Sequence, residues 1–195
     1  LEVVDRLQQP VEIGALVGAD PLIAGQIRLD KMRPIKLSPA KAWAEGIAFV
    51  PEERLGPVLD ALGISSSSLR PSCPVQVMST ANSRLLIGVQ SPDTLDSLQP
   101  KMDQLIQLTS HVGADGFFVF AVKPGANPTT TESRMFCPVI GVPEDPVSGN
   151  AHGMLGVYML SNGLLTATDG KASFVGHQGR FVDRPGRVEV TVACS

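Results

Sequence analysis

The chain has 195 residues, 43% hydrophobic and 18% charged, proportions that suit one large or two small globular domains with a buried core. A net charge of -3 provides no basic field for nucleic acid or anionic lipid, and no apolar run reaches the roughly 18 residues that span a bilayer. Cys73, Cys137 and Cys194, odd in number and far apart, point to free thiols in a reducing, cytoplasmic setting rather than to a disulfide framework.

Leu1 to Leu7 reads as a helical remnant that Pro10 ends, without the basic and apolar regions of a secretory leader. Pro21 to Asp30 alternates enough to suggest a strand, and Glu45 to Val50 is a short apolar strand candidate. Pro51-Glu-Glu-Arg opens a helix whose apolar face is Leu55, Val58, Leu59 and Leu62 and whose natural stop is Gly63. The serine run in Ile64 to Arg70 reads as a loop. Pro74 to Ser79 and Arg84 to Val89 read as a hairpin around Thr80-Ala-Asn-Ser83. Met102, Leu105, Ile106 and Leu108 stripe a second helix that Gly113 closes. Gly116 to Val122 is a strong strand, Lys123 to Thr131 a loop, and Ser133 to Val139 a further strand. Ser173 to Gly176 and Arg187 to Ala193 complete the set. Short strands outnumber helices and are mostly joined by turns, which predicts an α+β fold with a mixed or antiparallel sheet.

The stretch from about Val147 to Ser161 is predicted as a helix that is apolar on nearly every side, with Gly149, Gly153 and Gly156 allowing close neighbours. Such a helix must be wrapped by protein, which suggests a central helix threaded through a curled sheet. Asp145 suits its N-cap and Pro146 its first turn. On that reading the amides of Ser148, Gly149, Asn150 and Ala151 lack intrahelical partners and can bind a carboxylate or phosphate. Asp145 reads either as a plain helix cap or as a cap that also faces a cleft. Glu144 reads as an acid–base group or as a solvated first-turn carboxylate.

Other chemistries find little support. His111, His152 and His177 lack metal-ligand spacing, and no metal is expected. His111 reads as a solvated helix end, His152 as buried or cleft-facing, and His177 as part of a turn. Ser148 lies in Val-Ser-Gly rather than in a nucleophile elbow, and Gly176-x-x-Gly179 is too short for a dinucleotide fingerprint. A two-thiol racemase would need a cysteine at the helix start, where Asp145 stands; Cys137 reads as a small buried residue.

Arg134-x-Phe136-x-Pro138-x-x-Gly141-x-x-Glu144-Asp145-Pro146-Val147-Ser148-Gly149-Asn150-Ala151 resembles the carboxyl-half signature of the PhzF-like (phenazine-biosynthesis-protein-like) isomerases. Pro74-Val-Gln-Val-Met-Ser-Thr, Gly113-Ala-Asp-Gly-Phe-Phe-Val-Phe, and Gly176-His-Gln-Gly-Arg180 followed by Arg184-Pro-Gly-Arg-Val-Glu-Val match further segments in order. The resemblance covers about residues 22–195. It implies a diaminopimelate-epimerase-like fold: two similar domains, each with a mixed, largely antiparallel barrel-like sheet around a central apolar helix, and an active site between them. It also implies a homodimer that moves a proton on a small carboxylate-bearing substrate, with no metal or organic cofactor. The family's best-known member acts in this way on a dihydro-hydroxyanthranilate.

Residue by residue, Asp145 matches the family aspartate that binds and orients substrate, and Gly149 and Asn150 match the turn that contacts it. Many relatives carry Ser where this chain has Asn150, a swap that keeps a polar donor and changes its reach. The family's proton-shuttling Glu sits in a Ser-Glu-Thr segment of the first domain, near a Gly-His-Ala-Thr segment. Neither occurs here, and Glu45, Glu52, Glu53 and Glu132 lie in other contexts. The chain therefore reads as a fragment: a remnant of the first domain and linker over 1–70, then the second domain over 71–195, with its closing strand expected past Ser195. The alternative is a non-catalytic binding module that retains the fold.

Overall fold

The structure, a computed structural model, describes residues 11–18, 25–29, 47–50, 52–79, 82–123, 125–126 and 129–194. The predicted helix over Leu1 to Leu7 and the turn residues Thr80 and Ala81 lie outside them. The strands are β1 (Val11–Gly18), β2 (Gly25–Leu29), β3 (Ile47–Phe49), β4 (Gln76–Ser79), β5 (Ser83–Val89), β6 (Phe117–Lys123), β7 (Thr130–Cys137), β8 (Val142–Asp145), β9 (Lys171–Gln178) and β10 (Gly186–Cys194). The helices are α1 (Glu52–Leu62), α2 (Pro92–Ser97), α3 (Met102–Val112) and α4 (Gly149–Ser161).

The ten strands of the described residues join one mixed sheet in the order β2-β1-β10-β9-β7-β6-β5-β4-β3, with β8 paired to β7 beside that path. The pairings β5–β6 and β7–β9 are parallel and the others antiparallel. The predicted hairpin is present as β4–β5. β1 and β8 and the short helix α2 were not legible from periodicity.

The fold is α+β, with the sheet curled around α4. Strands from opposite ends of the sheet order, β1 and β10 at one end and β4 near the other, contact this one helix. At its far end, the Tyr158 hydroxyl donates to the carbonyl of Pro74 at 2.8 Å and Asn162 Nδ2 donates to Gln76 Oε1 at 3.3 Å. On the opposite wall, a Cβ at Gly156 would stand 2.8 Å from Val192 Cγ2 and 3.0 Å from Val190 Cγ1. Glycine there lets β10 close on the helix, which offsets its poor helix propensity of about 1 kcal/mol.

Strand alternation sorts the core into two layers. Leu86, Phe118, Phe120, Met135, Phe174, Val188, Val190 and Val192 pack with Ala151, Met154, Leu155, Tyr158 and Met159 of α4. Leu85, Ile87, Val89, Phe117, Val119, Ala121 and Phe136 point the other way, onto Val58, Ala61 and Leu62 of α1, Leu95 of α2 and Leu105 and Val112 of α3. Gly113, at φ 73°, ends α3 as predicted.

Candidate functional site

The sheet forks at β7. Its first half, Thr130 to Ser133, pairs with β9, ending on Ser133↔Gln178. Its second half pairs with β8, including Met135↔Asp145. The start of α4 emerges from this fork, and the side chain of Gln178 spans it. Gln178 Nε2 donates to the carbonyl of Asp145, and its Oε1 accepts from Ser148 N–H at 3.2 Å. The turn Asp145-Pro146-Val147-Ser148 then fits against the two glycines that flank the β9–β10 connection. A Cβ at Gly179 would strike the carbonyl oxygen of Pro146, and one at Gly186 would strike Val147 Cγ2. Gly179 also has φ 90°, the left-handed region that glycine favours.

This corrects the expected cap. The helix begins at Gly149, two residues later than predicted, and its N-cap is Ser148 rather than Asp145. Ser148 Oγ accepts from Ala151 N–H at 3.2 Å, three positions on, as an N-cap serine does. Asp145 is held back by its pairing with Met135, and its Oδ1 accepts from Val147 N–H at 3.2 Å inside the preceding turn. Two of the four amides expected to bind an anion, those of Ser148 and Ala151, thus already have acceptors within the protein. Gly149 and Asn150 occupy the first two helical positions.

Asp145 is partly buried, and burial raises its carboxyl pKa above the ordinary aspartate range. The Val147 N–H and the charges of Arg84 and Arg184 oppose the rise. Such a carboxyl keeps its proton to a higher pH than a solvated aspartate does.

Glu144 is neither an acid–base group in a cleft nor a solvated carboxylate. It forms a two-point pair with Arg134, Oε1 to Nε at 3.0 Å and Oε2 to Nη2 at 2.8 Å, and each side chain is 10% exposed. Arg134 Nη1 donates to the carbonyls of Leu95 and Leu98 at 3.0 and 3.3 Å, and its guanidinium lies over the rings of Phe136 and Phe181. The pair ties β8 to β7 and to the end of α2.

His152 does not face a cleft; it is fully buried. Its Nδ1 donates to the carbonyl of Ser148 at 2.7 Å, its ring packs edge-on to Phe118 at 5.3 Å, and it fills the space where a Cβ on Gly176 would stand. Burial pushes its pKa down to about 4, so the imidazole is neutral. Cys73 and Cys137 are free, as read from their spacing; Cys137 is buried as expected, Cys73 is buried too, and burial raises both thiols. His177 lies in β9 and lines a surface pocket with Lys123, Glu132, Ser133, Gln178 and Arg180. Its polar groups are largely committed: Glu132 holds Lys123 at 3.3 Å and also binds Arg180, which reaches on to Asp96.

Arg84, on β5, was not singled out from the sequence. It is 5% exposed; its Nη1 donates to the carbonyl of Ser83 at 2.8 Å, and its Nε has no acceptor among the described residues. Among those residues no group of three or more His, Cys, Asp or Glu side chains could hold a metal, and no helix is long and apolar enough to cross a membrane.

A mixed sheet curled around a buried helix, with a carboxylate and helix-start amides gathered where the sheet forks, defines a diaminopimelate-epimerase-like domain. The chain belongs to the phenazine biosynthesis-like protein family (PhzC-PhzF), whose pattern residues 50–195 match. It is 39% identical over 136 residues to the uncharacterized isomerase YddE of Salmonella typhimurium, covering 69% of this chain and 45% of that protein. It is 30% identical over 107 residues to the trans-2,3-dihydro-3-hydroxyanthranilate isomerase of Pseudomonas fluorescens, covering 54% of this chain and 34% of that one. A predicted epimerase from Pseudomonas aeruginosa has a similar fold, with a TM-score of 0.57 and 28% identity over 76% of this chain and 51% of that one. The chain thus spans about half the length of the curated relatives it matches.

Proposed function

We propose that this chain is the substrate-binding half of a PhzF-like isomerase that moves a proton on a small carboxylate-bearing molecule without a cofactor. In this reading residues 71–195 carry most of the second of two domains, and of residues 1–70, taken from the sequence as linker and first-domain remnant, β1–β3 join that domain's sheet and α1 packs in its core. The acid–base glutamate belongs to the first domain, outside this chain, and the complete enzyme is a cytoplasmic homodimer. Alone, the fragment binds but does not turn over.

The observation that carries this reading is the arrangement at the fork. Asp145, with its raised pKa, is fixed next to the first turn of a helix whose leading residues are Gly149 and Asn150. An anionic substituent is stabilised at a helix N-terminus by its amides and dipole. Gly149 N–H and the Asn150 side chain would hold that group, and Asp145 would hydrogen-bond the adjacent substituent and orient the ring or chain. Ser148 and Ala151 shape the turn through their own bond rather than donating to the ligand. A positioned acid–base group then contributes about 10²–10⁴-fold by proton transfer. The activity for which the Pseudomonas fluorescens relative is named, isomerisation of a dihydro-hydroxyanthranilate, fits a substrate that carries one carboxylate on a small ring.

Titration calorimetry of this chain with 3-hydroxyanthranilate tests the reading. Saturable binding is expected, and the Asp145→Ala/Asn150→Ala double variant should lose it. A wild-type chain with a cooperative melting transition that shows no binding would overturn the site assignment.

A further inference from the structure

Arg84 follows Ser83 at the start of β5. Leu85 packs toward α1–α3 and Leu86 toward α4, and Met78, the cross-strand partner of Arg84, also packs toward α4. Alternation therefore puts Arg84 on the sheet face that α4 covers. Gly116 and Cys137 continue the same row across β6 and β7. The space that a Cβ would need at Gly116 is occupied by Cys137 Sγ, and Arg84 Cδ would lie 3.2 Å from it. The glycine thus leaves the arginine stem room to cross the face.

The polarity of α4 sets what lies at the end of that row. His152 packs on Phe118 and, six residues later, Tyr158 packs on Phe120, so the helix advances along β6 in the strand's own direction. Its first residues consequently lie back toward Gly116 and Arg84. Asp145 lies at the same end, paired with Met135, which itself pairs with Phe118. The positive charge of Arg84 acts on both Asp145 and Asp115. Neither forms an ion pair with it: Asp115 Oδ2 is taken by the backbone N–H and hydroxyl of Ser83, both at 3.0 Å, and Asp145 Oδ1 by Val147 N–H.

A guanidinium carries five N–H donors, and burying it without an acid partner and with Nε unpaired is unfavourable in a finished core. We infer that Arg84 is the charged anchor of the ligand site, pairing with the carboxylate of an incoming substrate whose other side is held by the start of α4. This inference rests on the proposed isomerase reading and deepens it. It makes the selected ligand a planar carboxylate, which a guanidinium can bind at two points, rather than a neutral analogue of the same shape.

The test compares 3-hydroxyanthranilate with its neutral carboxamide by titration calorimetry, on wild type, Arg84→Gln and Arg84→Lys. Wild type should prefer the carboxylate by roughly 10- to 100-fold, the scale of a charge-assisted hydrogen bond. Arg84→Gln should lose most of that preference, keeping only what the start of α4 contributes, and Arg84→Lys should fall between because an ammonium is a point charge. Retention of the wild-type preference by Arg84→Gln, alongside loss of binding in the Asp145→Ala/Asn150→Ala variant, would overturn the role of Arg84 while leaving the isomerase reading standing. Absence of carboxylate binding by wild type would sink both. Should Arg84→Gln fail to fold, the Arg84 Nε–H resonance of the ¹⁵N-labelled wild type decides: it should shift on saturation with the carboxylate and not with the carboxamide, and an unmoved resonance overturns the inference.

Discussion

Gln178 holds Asp145 from across the fork in the sheet: the side-chain amide donates to the Asp145 carbonyl while its oxygen accepts from Ser148 N–H. One 3%-exposed side chain thereby ties both ends of the turn that delivers Asp145 and starts the central helix. The pairing Ser133↔Gln178 and the pairing Met135↔Asp145 lie two residues apart on β7, which is why a side chain of this length reaches.

Gln178→Leu keeps the volume and leaves the Asp145 carbonyl and the Ser148 amide without these partners. Each orphaned buried group costs about 1–3 kcal/mol. Chemical denaturation should therefore show a lower midpoint with an unchanged slope, and 3-hydroxyanthranilate should bind more weakly as the turn loosens. Gln178→Glu retains an acceptor for Ser148 but loses the donor to Asp145, so it should lie between. Equal midpoints for wild type and the Leu variant would remove the clamp from the account.

The parts of this arrangement differ in how far the sequence discloses them. The central helix was legible because Ala151 to Leu160 is apolar on all sides, and its end at Ser161 came out as predicted. Its start did not, because Asp145 and Ser148 are both good capping residues and only the pairing of β8 with β7 decides between them. Gln178 and Arg84 were missed for a similar reason. Each acts on residues far away in sequence, and nothing in local periodicity says that β9 and β8 share one neighbour or that Arg84 lies in line with Gly116. The candidate residues Asp145, Gly149 and Asn150 were legible as a motif; their geometry was not.

Breaking the Arg134–Glu144 pair on one side should cost a large part of what removing it whole costs. Glu144→Gln strands a guanidinium that is 10% exposed, and loss of one partner of a buried pair typically costs ~3–5 kcal/mol. Arg134→Met also removes the donor that Leu95 and Leu98 share, so it should be destabilising in its own right. In the double variant no unpaired charge remains, and the coupling measured by a double-mutant cycle should be ~0.5–3 kcal/mol. Additive effects would show that the pair is solvated rather than structural.

Gly176 should tolerate no side chain while His152 is present. A Cβ there falls on the imidazole ring, which is buried among neighbours and cannot swing away. Gly176→Ala should cost ~1–3 kcal/mol by overpacking. Gly176→Ala combined with His152→Asn, whose shorter side chain vacates part of that space, should recover a portion of the loss in thermal melts. No recovery would place the strain in the β9 backbone instead.

His152 should make stability fall with acidification. Its pKa is about 4 in the folded chain against 6.5 for the free side chain. Between those values the unfolded chain binds more protons than the folded one, so stability rises with pH there. The contribution is complete above about pH 6.5 and is lost as pH falls through about 4. At ~1.4 kcal/mol per pKa unit, it amounts to about 3 kcal/mol. The physical origin is local: Nδ1–H already donates to Ser148, and a proton on Nε2 would have no acceptor among the described residues, pressed against Gly176. His177, whose pKa burial also lowers, adds a change of the same sign, and Asp145, raised, one of opposite sign. His152→Asn separates these. It can still donate toward Ser148 and cannot charge, so the difference between wild-type and variant stability should change by a few kcal/mol between pH 7 and pH 4, with wild type losing more. Parallel stability curves across that range would mean that His152 is not buried as neutral imidazole.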